Sequence, residues 1–303
     1  MSLGLMLPTT VADGSAIDVL EAARLADQGG LHSVWTIDRL VFPMLEAVTT
    51  LAAVASITSH VKLGTNVLIE PCREPALLAS QLASVDAFSG GRVILGVGVG
   101  NRAEDFTATG RDFHTRGQRM ESDIDLLRRV WAGESVVERF GSTGLPPANG
   151  TIPIIFGGTS ERAMERAARI GDGYACVPRG LARHVAEFAK FRALWTKHNR
   201  SGKPFLVANG YYCVDDSVER ARDRIADYTQ HYYGSRQRAS GGVAGEAEWD
   251  LAGPPEVIAE AASRYLALGP DVLVLLPASA DRFQIETLVG PIAEQVRQIQ
   301  VRS

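Results

Sequence analysis

Residues 61–98, VKLGTNVLIEPCREPALLASQLASVDAFSGGRVILGVG, contain the pattern that decides the fold. The largely apolar run Val61–Ile69 predicts a strand, and the segment Pro75–Phe88 predicts a helix with proline in its first turn. A pair of glycines then turns the chain into a second strand, Val93–Gly98. Apolar strands that alternate with helices are typical of a parallel sheet buried on both faces.

The same alternation extends along the whole chain, and no linker divides it. Eight strands that alternate with helices favour a closed (β/α)8 TIM barrel, an α/β fold with loop insertions at its C-terminal face, over an open doubly wound sheet. We therefore expect residues 1–303 to form a single domain. The predicted strands are Leu3–Leu7, Ser33–Ile37, Val61–Ile69, Val93–Gly98, Pro153–Phe156, Gly173–Val177, Phe205–Val214 and Asp271–Leu276.

The helices between the strands are predicted from spacing and capping residues. Ser15 is a candidate N-cap for the first, and Ile17 is expected on its buried face. Leu45 is expected on the buried face of the second. Beyond Pro75–Phe88, further helices are predicted over Pro43–Ser56, Gly117–Trp131, Glu161–Ile170, Leu181–His198, Val218–Tyr232, Glu256–Leu268 and Ile285–Ile299.

The composition argues against several classes of protein. A net charge of −4 argues against a nucleic-acid-binding protein. Three distant cysteines form neither a disulfide framework nor a zinc motif, the six histidines have no metal-ligand spacing, and we expect no metal site. The start of the sequence does not resemble a signal peptide, and no apolar run is long enough to span a membrane. We expect a cytoplasmic enzyme that acts on a small molecule.

In a (β/α)8 barrel the functional groups gather where the strands end. The clearest candidate is Gly157-Gly158-Thr159-Ser160, where a strand runs into a helix. The free amides and the positive end of the helix dipole form a natural phosphate site there, although the same residues are common in an ordinary helix N-cap. Cys176 stands near the end of the sixth strand and is a further cofactor-binding candidate.

The glycines of GVGVGN, residues 96–101, do not form a dinucleotide-binding fingerprint. Asn101 stands where the third glycine is needed, and no acidic residue follows at the expected distance. Two explanations remain for Gly98: tight packing inside the barrel, or a flat ligand lying against the backbone. Farther along, the loop Ser235–Asp250 lies between the seventh and eighth strands and is either a lid or a surface loop without function.

Several runs resemble the bacterial-luciferase-like superfamily, and within it the oxidoreductases that use the deazaflavin coenzyme F-420. The resemblance covers nearly the whole chain in the same order. It is carried by GLHSVWTIDRL (30–40), the stretch from Val61 to Asn101, IPIIFGGTSERAMERAARIGDGY (152–174) and AGPPEVIAEAASRYLALGPDVLVLL (252–276).

The resemblance implies a barrel, often dimeric, that binds a flavin or deazaflavin at the C-terminal face. The ring would lie deep, with its phosphate end near Gly157, Gly158, Thr159 and Ser160. Deazaflavin enzymes of this type also have a non-prolyl cis peptide in the third strand, which would fall near Asn66–Val67. The amide of Asn66 then either faces the ring or contacts a neighbouring loop.

The chain also departs from this family. Sugar-phosphate dehydrogenases of the branch have a histidine and a glutamate where this chain has Arg39 and Asn101. Arginine is a poor base and asparagine is no acid, so this pair suits a substrate whose oxygen or anionic group must be held. Asp38 and Glu104 remain as candidate proton carriers, and Asp38 is alternatively an ion-pair partner of Arg39.

Three hypotheses follow. The first is hydride transfer between the deazaflavin C5 and a small organic substrate, with Asp38, Arg39 and Asn101 as catalytic residues. The second is an FMN-dependent monooxygenase, and the third is a barrel that only binds a ligand. Trp35, Tyr211 and Tyr212 are candidate walls of the substrate pocket.

Overall fold

A closed parallel barrel forms the centre of the molecule, whose computed structural model describes residues 2–12, 14–136, 141, 143–234 and 249–302. The strands in these ranges are β1 (Leu3–Met6), β2 (Ser33–Thr36), β3 (Lys62–Thr65), β4 (Leu68–Ile69), β5 (Val93–Gly98), β6 (Ile154–Gly157), β7 (Gly173–Ala175), β8 (Phe205–Val214), β9 (Ala252–Gly253) and β10 (Val272–Pro277). Barrel neighbours follow the order β1-β2-β3-β5-β6-β7-β8-β10, and β10 closes the ring by pairing with β1. The predicted (β/α)8 TIM barrel is thus confirmed.

Helices surround the barrel. They are α1 (Ala16–Gln28), α2 (Ala47–Ala55), α3 (Pro75–Ser89), α4 (Ala103–Ala108), α5 (Arg116–Trp131), α6 (Glu161–Ile170), α7 (Leu181–Lys197), α8 (Val218–Tyr233), α9 (Pro255–Leu266), α10 (Arg282–Thr287) and α11 (Ala293–Arg302). Ser15 caps α1 in a reciprocal arrangement with Asp18, as its position in the sequence predicts. No helix among the described residues is long and apolar enough to cross a membrane.

Two expected inward positions are wrong. Ile17 is 74% exposed, because the buried stripe of α1 runs through Val19, Ala22, Ala23 and Ala26 instead. The second helix begins at Ala47 rather than at residue 43, with Glu46 as its N-cap. Leu45 therefore precedes the helix and is 38% exposed.

Two predicted elements are interrupted. The third strand divides into β3 and β4, which are separated by a cis peptide bond between Asn66 and Val67. The last helix divides into α10, a π-helical segment over Leu288–Ile292, and α11. Pro291 lies in that segment, and since proline has no N–H the regular hydrogen bonding cannot continue through it.

Trp35 fills the lumen of the barrel, and the prediction that it forms a wall of the substrate pocket is wrong. Its side chain is 0% exposed and packs in the interior cluster. Glycines on both neighbouring strands make room for the indole: a Cβ on Gly64 would lie 2.1 Å from Trp35 Cε3, and one on Gly4 would lie 3.1 Å from Nε1. The indole N–H donates to Ser33 Oγ at 2.7 Å, so its polar atom is satisfied inside the core.

An excursion at the C-terminal face follows β8. This strand has 10 residues, and its last two pair with β9. Between them, α8 packs Ala221, Ile225, Tyr228 and Tyr232 onto the same cluster that fills the lumen. The helix thereby covers part of the barrel mouth. Most of the predicted loop Ser235–Asp250 lies outside the described residues.

Candidate functional site

A cavity of about 200 Å³ opens at the carboxyl ends of the strands. Every strand of the barrel ring contributes to it, either directly or through the residues that follow. This is where (β/α)8 barrels bind their ligands. Its lining residues are Met6, Ile37, Asp38, Arg39, Asn66, Val67, Ile69, Gly100, Asn101, Arg102, Gly157, Gly158, Ala175, Cys176, Val177, Pro178, Asn209, Tyr211, Tyr232, Tyr233 and Leu276.

Most of the residues singled out from the sequence meet in this cavity. Of the eleven residues predicted as catalytic or cofactor-binding, three do not line it: Gly98 is covered by Val67, while Thr159 and Ser160 are exposed beside it. The predicted residues that do line it are Asp38, Arg39, Asn66, Val67, Asn101, Gly157, Gly158 and Cys176. Within the described ranges, no group of three or more His, Cys, Asp or Glu side chains is arranged to hold a metal ion.

Val67, which follows the cis peptide, forms part of the cavity floor. Its side chain packs between two glycines. A Cβ on Gly98 would lie 2.6 Å from Val67 Cγ2, and one on Gly157 would lie 2.9 Å from Val67 Cγ1. Gly98 of β5 and Gly157 of β6 therefore leave the room that the Val67 side chain occupies. This favours the packing explanation for Gly98.

The Gly157–Ser160 turn is anchored at one end and capped at the other. Tyr174 Oη lies 2.8 Å from the carbonyl oxygen of Gly158, to which its hydroxyl can donate. Gly158 has a φ of 135°, which side-chain-bearing residues rarely adopt. Ser160 Oγ accepts a hydrogen bond from the amide of Ala163 and is the N-cap of α6. The cap explains Ser160, whereas the glycine backbone borders the cavity.

A chain of amides crosses the cavity floor. Asn66 Nδ2 donates to Asn209 Oδ1 at 2.6 Å, and Asn209 Nδ2 donates to the carbonyl of Cys176 at 2.6 Å. The Asn66 amide thus contacts a residue of β8, across the barrel from the third strand, and not a neighbouring loop. That it faces a cofactor ring stays a prediction. Both asparagines line the cavity, so the contact also fixes the direction in which each amide points.

His184 supports this chain from outside the barrel. Its Nε2 accepts the backbone N–H of Asn209 at 3.1 Å, while Nδ1 lies 2.8 Å from the carbonyl of Gly180. Since a carbonyl only accepts, the hydrogen is on Nδ1 and the ring is neutral. Burial lowers the pKa of His184, which keeps it in that form.

Asp38 is paired with Arg73, and the predicted ion pair with Arg39 is wrong. Arg73 donates from Nη1 to Asp38 Oδ2 at 2.6 Å and from Nη2 to Oδ1 at 3.0 Å. The backbone N–H of Ile69 donates to the same Oδ2. Because both carboxylate oxygens are occupied, Asp38 ties the end of β2 to the bulged third strand, and this arrangement favours a positioning role for it.

Arg39 instead reaches the C-terminal end of α8. Its Nη1 donates to the carbonyl of Tyr232, and Arg102 Nη2 approaches the same oxygen at 3.4 Å. The guanidinium of Arg39 also lies over the rings of Phe42 and Tyr232, at 4.4 and 5.1 Å from their centroids. Cations are favourable at a helix C-terminus, so these two arginines hold α8 over the cavity.

Two tyrosines border the cavity beneath that helix end. Tyr211 and Tyr233 are joined by their hydroxyl groups at 2.8 Å, and both line the cavity. Tyr211 is therefore a wall, as predicted. Tyr212 is not, because successive residues of a strand point to opposite faces and its hydroxyl donates to the carbonyl of Gln284 on the outside of the barrel.

Several site residues were not singled out from the sequence. His184 and Tyr233 lie on helices, and Arg102 lies in a loop beside the chosen Asn101. Arg102 and Asn209 both carry a signal, because one follows a barrel strand and the other lies on one, where functional residues are expected. His114 is exposed and does not line the cavity.

Comparison with known proteins agrees with the architecture. The sequence model of the luciferase-like monooxygenase family matches residues 1–271. The chain is 31% identical over 224 residues to 5,10-methylenetetrahydromethanopterin reductase of Methanolobus tindarius, covering 71% of this chain and 67% of that protein. It is 31% identical over 175 residues to the F-420-dependent glucose-6-phosphate dehydrogenase of Amycolatopsis mediterranei, covering 52% of this chain and 53% of the relative.

A solved structure shows the same fold. The monooxygenase RslO1 from Streptomyces bottropensis superposes with a TM-score of 0.79 at 23% identity, covering 99% of this chain and 100% of that one. The match of the family model to most of the sequence, together with the reductase and dehydrogenase relatives, identifies the kind of protein. The chain belongs to the luciferase-like monooxygenase family and is a luciferase-like enzyme of the oxidoreductase and monooxygenase type.

Proposed function

We propose that the protein is an oxidoreductase that moves a hydride between C5 of the deazaflavin coenzyme F-420 and a small organic substrate. The observation that carries the proposal is the cavity floor, where Val67 lies between Gly98 and Gly157 and presents an apolar surface to a flat ring. The curated dehydrogenase relative from Amycolatopsis mediterranei is named as F-420-dependent, which supports the choice of cofactor.

The residues present fit a ring with an anionic tail. The apolar side chains of Met6, Val67 and Leu276 suit a tricycle, and the oriented amides of Asn66 and Asn209 suit its polar edge. The backbone of Gly157 and Gly158, at the N-terminal end of α6, suits a phosphate, with the Ser160 hydroxyl available to donate beside it. The deazaflavin, when bound, supplies the hydride chemistry, and the protein supplies position and electrostatics.

Arg39 and Asn101 are the groups we assign to the substrate. Both line the cavity, and both can donate hydrogen bonds to a substrate oxygen. Asp38 acts by fixing the third strand through Ile69 and Arg73 rather than by carrying a proton. Glu104, the other candidate proton carrier, does not line the cavity and has Arg102 as a distant partner at 3.9 Å.

FMN-dependent monooxygenation is the second candidate, because the family model is that of luciferase-like monooxygenases. The third hypothesis, a barrel that only binds a ligand, is set aside because the chain belongs to a family of enzymes. The two cofactors differ in one measurable respect. Reduced FMN reacts readily with oxygen, whereas reduced deazaflavin does so poorly.

Titration of the purified protein with oxidised F-420 and with FMN, followed by fluorescence, tests the proposal. We expect F-420 to saturate at or below concentrations on the order of 10 micromolar and FMN to bind at least about tenfold more weakly. Tight FMN binding with oxygen uptake, and no F-420 binding, would establish the second candidate instead.

The variant Gly158→Asp tests whether the cofactor binds at the Gly157–Ser160 turn. It places a carboxylate and a strained φ in the turn, where the new Cβ would lie 2.8 Å from that of Ala163. We expect F-420 affinity to fall at least about tenfold, because an anionic tail is repelled and the amides shift. Gly202→Asp is the matched control, since Gly202 also has a positive φ but lies in the loop before β8, at the opposite end of the barrel.

A further inference from the structure

The cavity mouth is cationic although the protein carries a net charge of −4. Among the described lining residues three are charged, namely Asp38, Arg39 and Arg102. The charge of Asp38 is matched by Arg73, which contacts it through two nitrogens. The two lining arginines remain, and the carboxylate nearest Arg102 lies 3.9 Å away, on a residue that does not border the cavity. Asp105 and Glu104 also act electrostatically on Arg39, but neither of them borders the cavity. The side-chain charges that face an entering molecule, apart from the paired Asp38, are therefore positive.

The two guanidinium groups are only partly used by the protein. Each is bonded to the neutral carbonyl of Tyr232, which satisfies few of the donors that a guanidinium carries. Arg39 Nε is buried and has no hydrogen-bond partner among the described residues, and the same is true of Nε in Arg179. Arg179 acts electrostatically on Tyr233, as do Arg39 and Arg102, so three positive charges lie within electrostatic range of one tyrosine of the cavity.

Two guanidinium charges held close together repel each other, which destabilises the protein unless an anion binds between them. Burial and the neighbouring charge of Arg102 both lower the pKa of Arg39. A carboxylate is planar and binds a guanidinium through two parallel hydrogen bonds, so it would engage the groups that Arg39 and Arg102 present to the cavity and reduce their repulsion. The site is therefore complementary to an organic anion.

The position of Arg39 separates this site from the phosphate turn. Arg39 follows β2, whereas Gly158 follows β6, and β3 and β5 lie between those two strands in the ring. An anion at Arg39 is thus on a different side of the mouth from the tail of a cofactor seated at Gly157 and Gly158. Building on the proposed function, we propose that the substrate is a small organic carboxylate whose anionic group is held by Arg39 and Arg102 beneath the end of α8.

Benzoate and benzamide, which share size and shape but differ in charge, serve as probes for the full chain. Their binding is measured by calorimetry without cofactor and again in the presence of saturating F-420. We expect benzoate to bind at least about tenfold more tightly than benzamide, and to bind in both conditions. Arg39→Met should reduce benzoate affinity about tenfold or more and leave benzamide affinity nearly unchanged, whereas Arg39→Lys should retain part of the preference.

Control variants keep the result interpretable. Arg129→Met removes an exposed arginine that pairs with Glu134 at the far end of α5, and it should change neither affinity. If Arg39→Met does not fold, Arg102→Gln tests the same site without removing the stacked side chain between Phe42 and Tyr232.

The alternatives have distinct outcomes. Equal affinity for benzoate and benzamide would overturn the proposal. Displacement of benzoate by F-420 would also overturn it, because the arginines would then belong to the cofactor tail. Arg39-dependent binding of benzoate by a protein that binds no F-420 would support the anion site while refuting the proposed deazaflavin chemistry.

Discussion

Trp35 and Arg39 are separated by three residues in the sequence, but their surroundings are opposite in character. Around Trp35, glycines on the flanking strands are matched to the indole, and its N–H is bonded to Ser33. Around Arg39, donors lack partners and a cavity is open. The lumen is thus packed for stability, whereas the mouth retains unsatisfied polar groups. Native proteins leave such groups mainly where a ligand completes them.

The largest expected effect comes from disturbing the packed lumen. Gly64→Val places a Cβ about where Trp35 Cε3 already lies, at 2.1 Å, and the fully buried indole has nowhere to move. We expect the free energy of unfolding to fall by more than about 3 kcal/mol, measured by urea denaturation. Gly290→Ala meets no neighbour within 4 Å and should change stability by less than about 1 kcal/mol. A similar loss of unfolding free energy in both variants would contradict the conclusion that the lumen is packed for stability.

The second prediction concerns a polar group inside the packed region. Glu70 is 0% exposed, and burial, followed by the charge of Asp123, raises its pKa to about 9. The folded protein therefore holds a proton there that the unfolded chain releases above about pH 4.5. The stability that the folded protein gains by holding the Glu70 proton is fully present below the pKa of this group in the unfolded chain. It is lost as the pH rises toward 9.

Glu70→Gln removes this pH dependence. We expect the variant to become more stable relative to the wild type by about 3 to 4 kcal/mol between about pH 5 and about pH 8, measured by denaturation at each pH. Glu74→Gln is a suitable control because that carboxylate is exposed. If the difference between variant and wild type does not change with pH, Glu70 is ionised in the folded protein and the prediction fails.

The smallest expected effect is at the boundary between the two regions. In Gly98→Ala the new Cβ would lie 2.6 Å from Val67 Cγ2, and Val67 must shift toward the cavity. We expect F-420 affinity to fall about tenfold with a modest loss of stability. The double variant with Val67→Ala should recover affinity, since the clash disappears. Additive losses in the double variant would show that the two residues act independently.

The fold was accessible from sequence because its pattern is local. Alternating apolar strands and helices, punctuated by glycine and proline, predicted the barrel, and the Gly157–Ser160 turn was visible as a strand that runs into a helix. The cis bond at Asn66–Val67 was expected from the family resemblance alone. Nothing in the local sequence distinguishes it from a continuous strand.

The site was harder to predict because its contacts connect distant residues. For Asp38 the sequence offers a catalytic role or, alternatively, an ion pair with its neighbour Arg39, yet its partner Arg73 lies 35 positions away. Tyr212 is wrongly expected at the cavity because alternation gives a strand two faces without saying which one points inward. Trp35 does point inward, but it lies in the packed lumen, and the local sequence does not show how deep in the barrel a side chain lies. The position of α8 depends on contacts of Tyr232 with Arg39, across 193 positions, which no periodicity encodes.

The filled lumen has a consequence for how molecules enter and leave the cavity. Because the Trp35 indole fills the barrel beneath the cavity, no passage leads from it through the described lumen, and the cavity opens at the carboxyl ends of the strands. Two molecules that occupy it together must enter in order of depth. The deeper one arrives first and departs last, so the architecture itself imposes a sequence on binding and release.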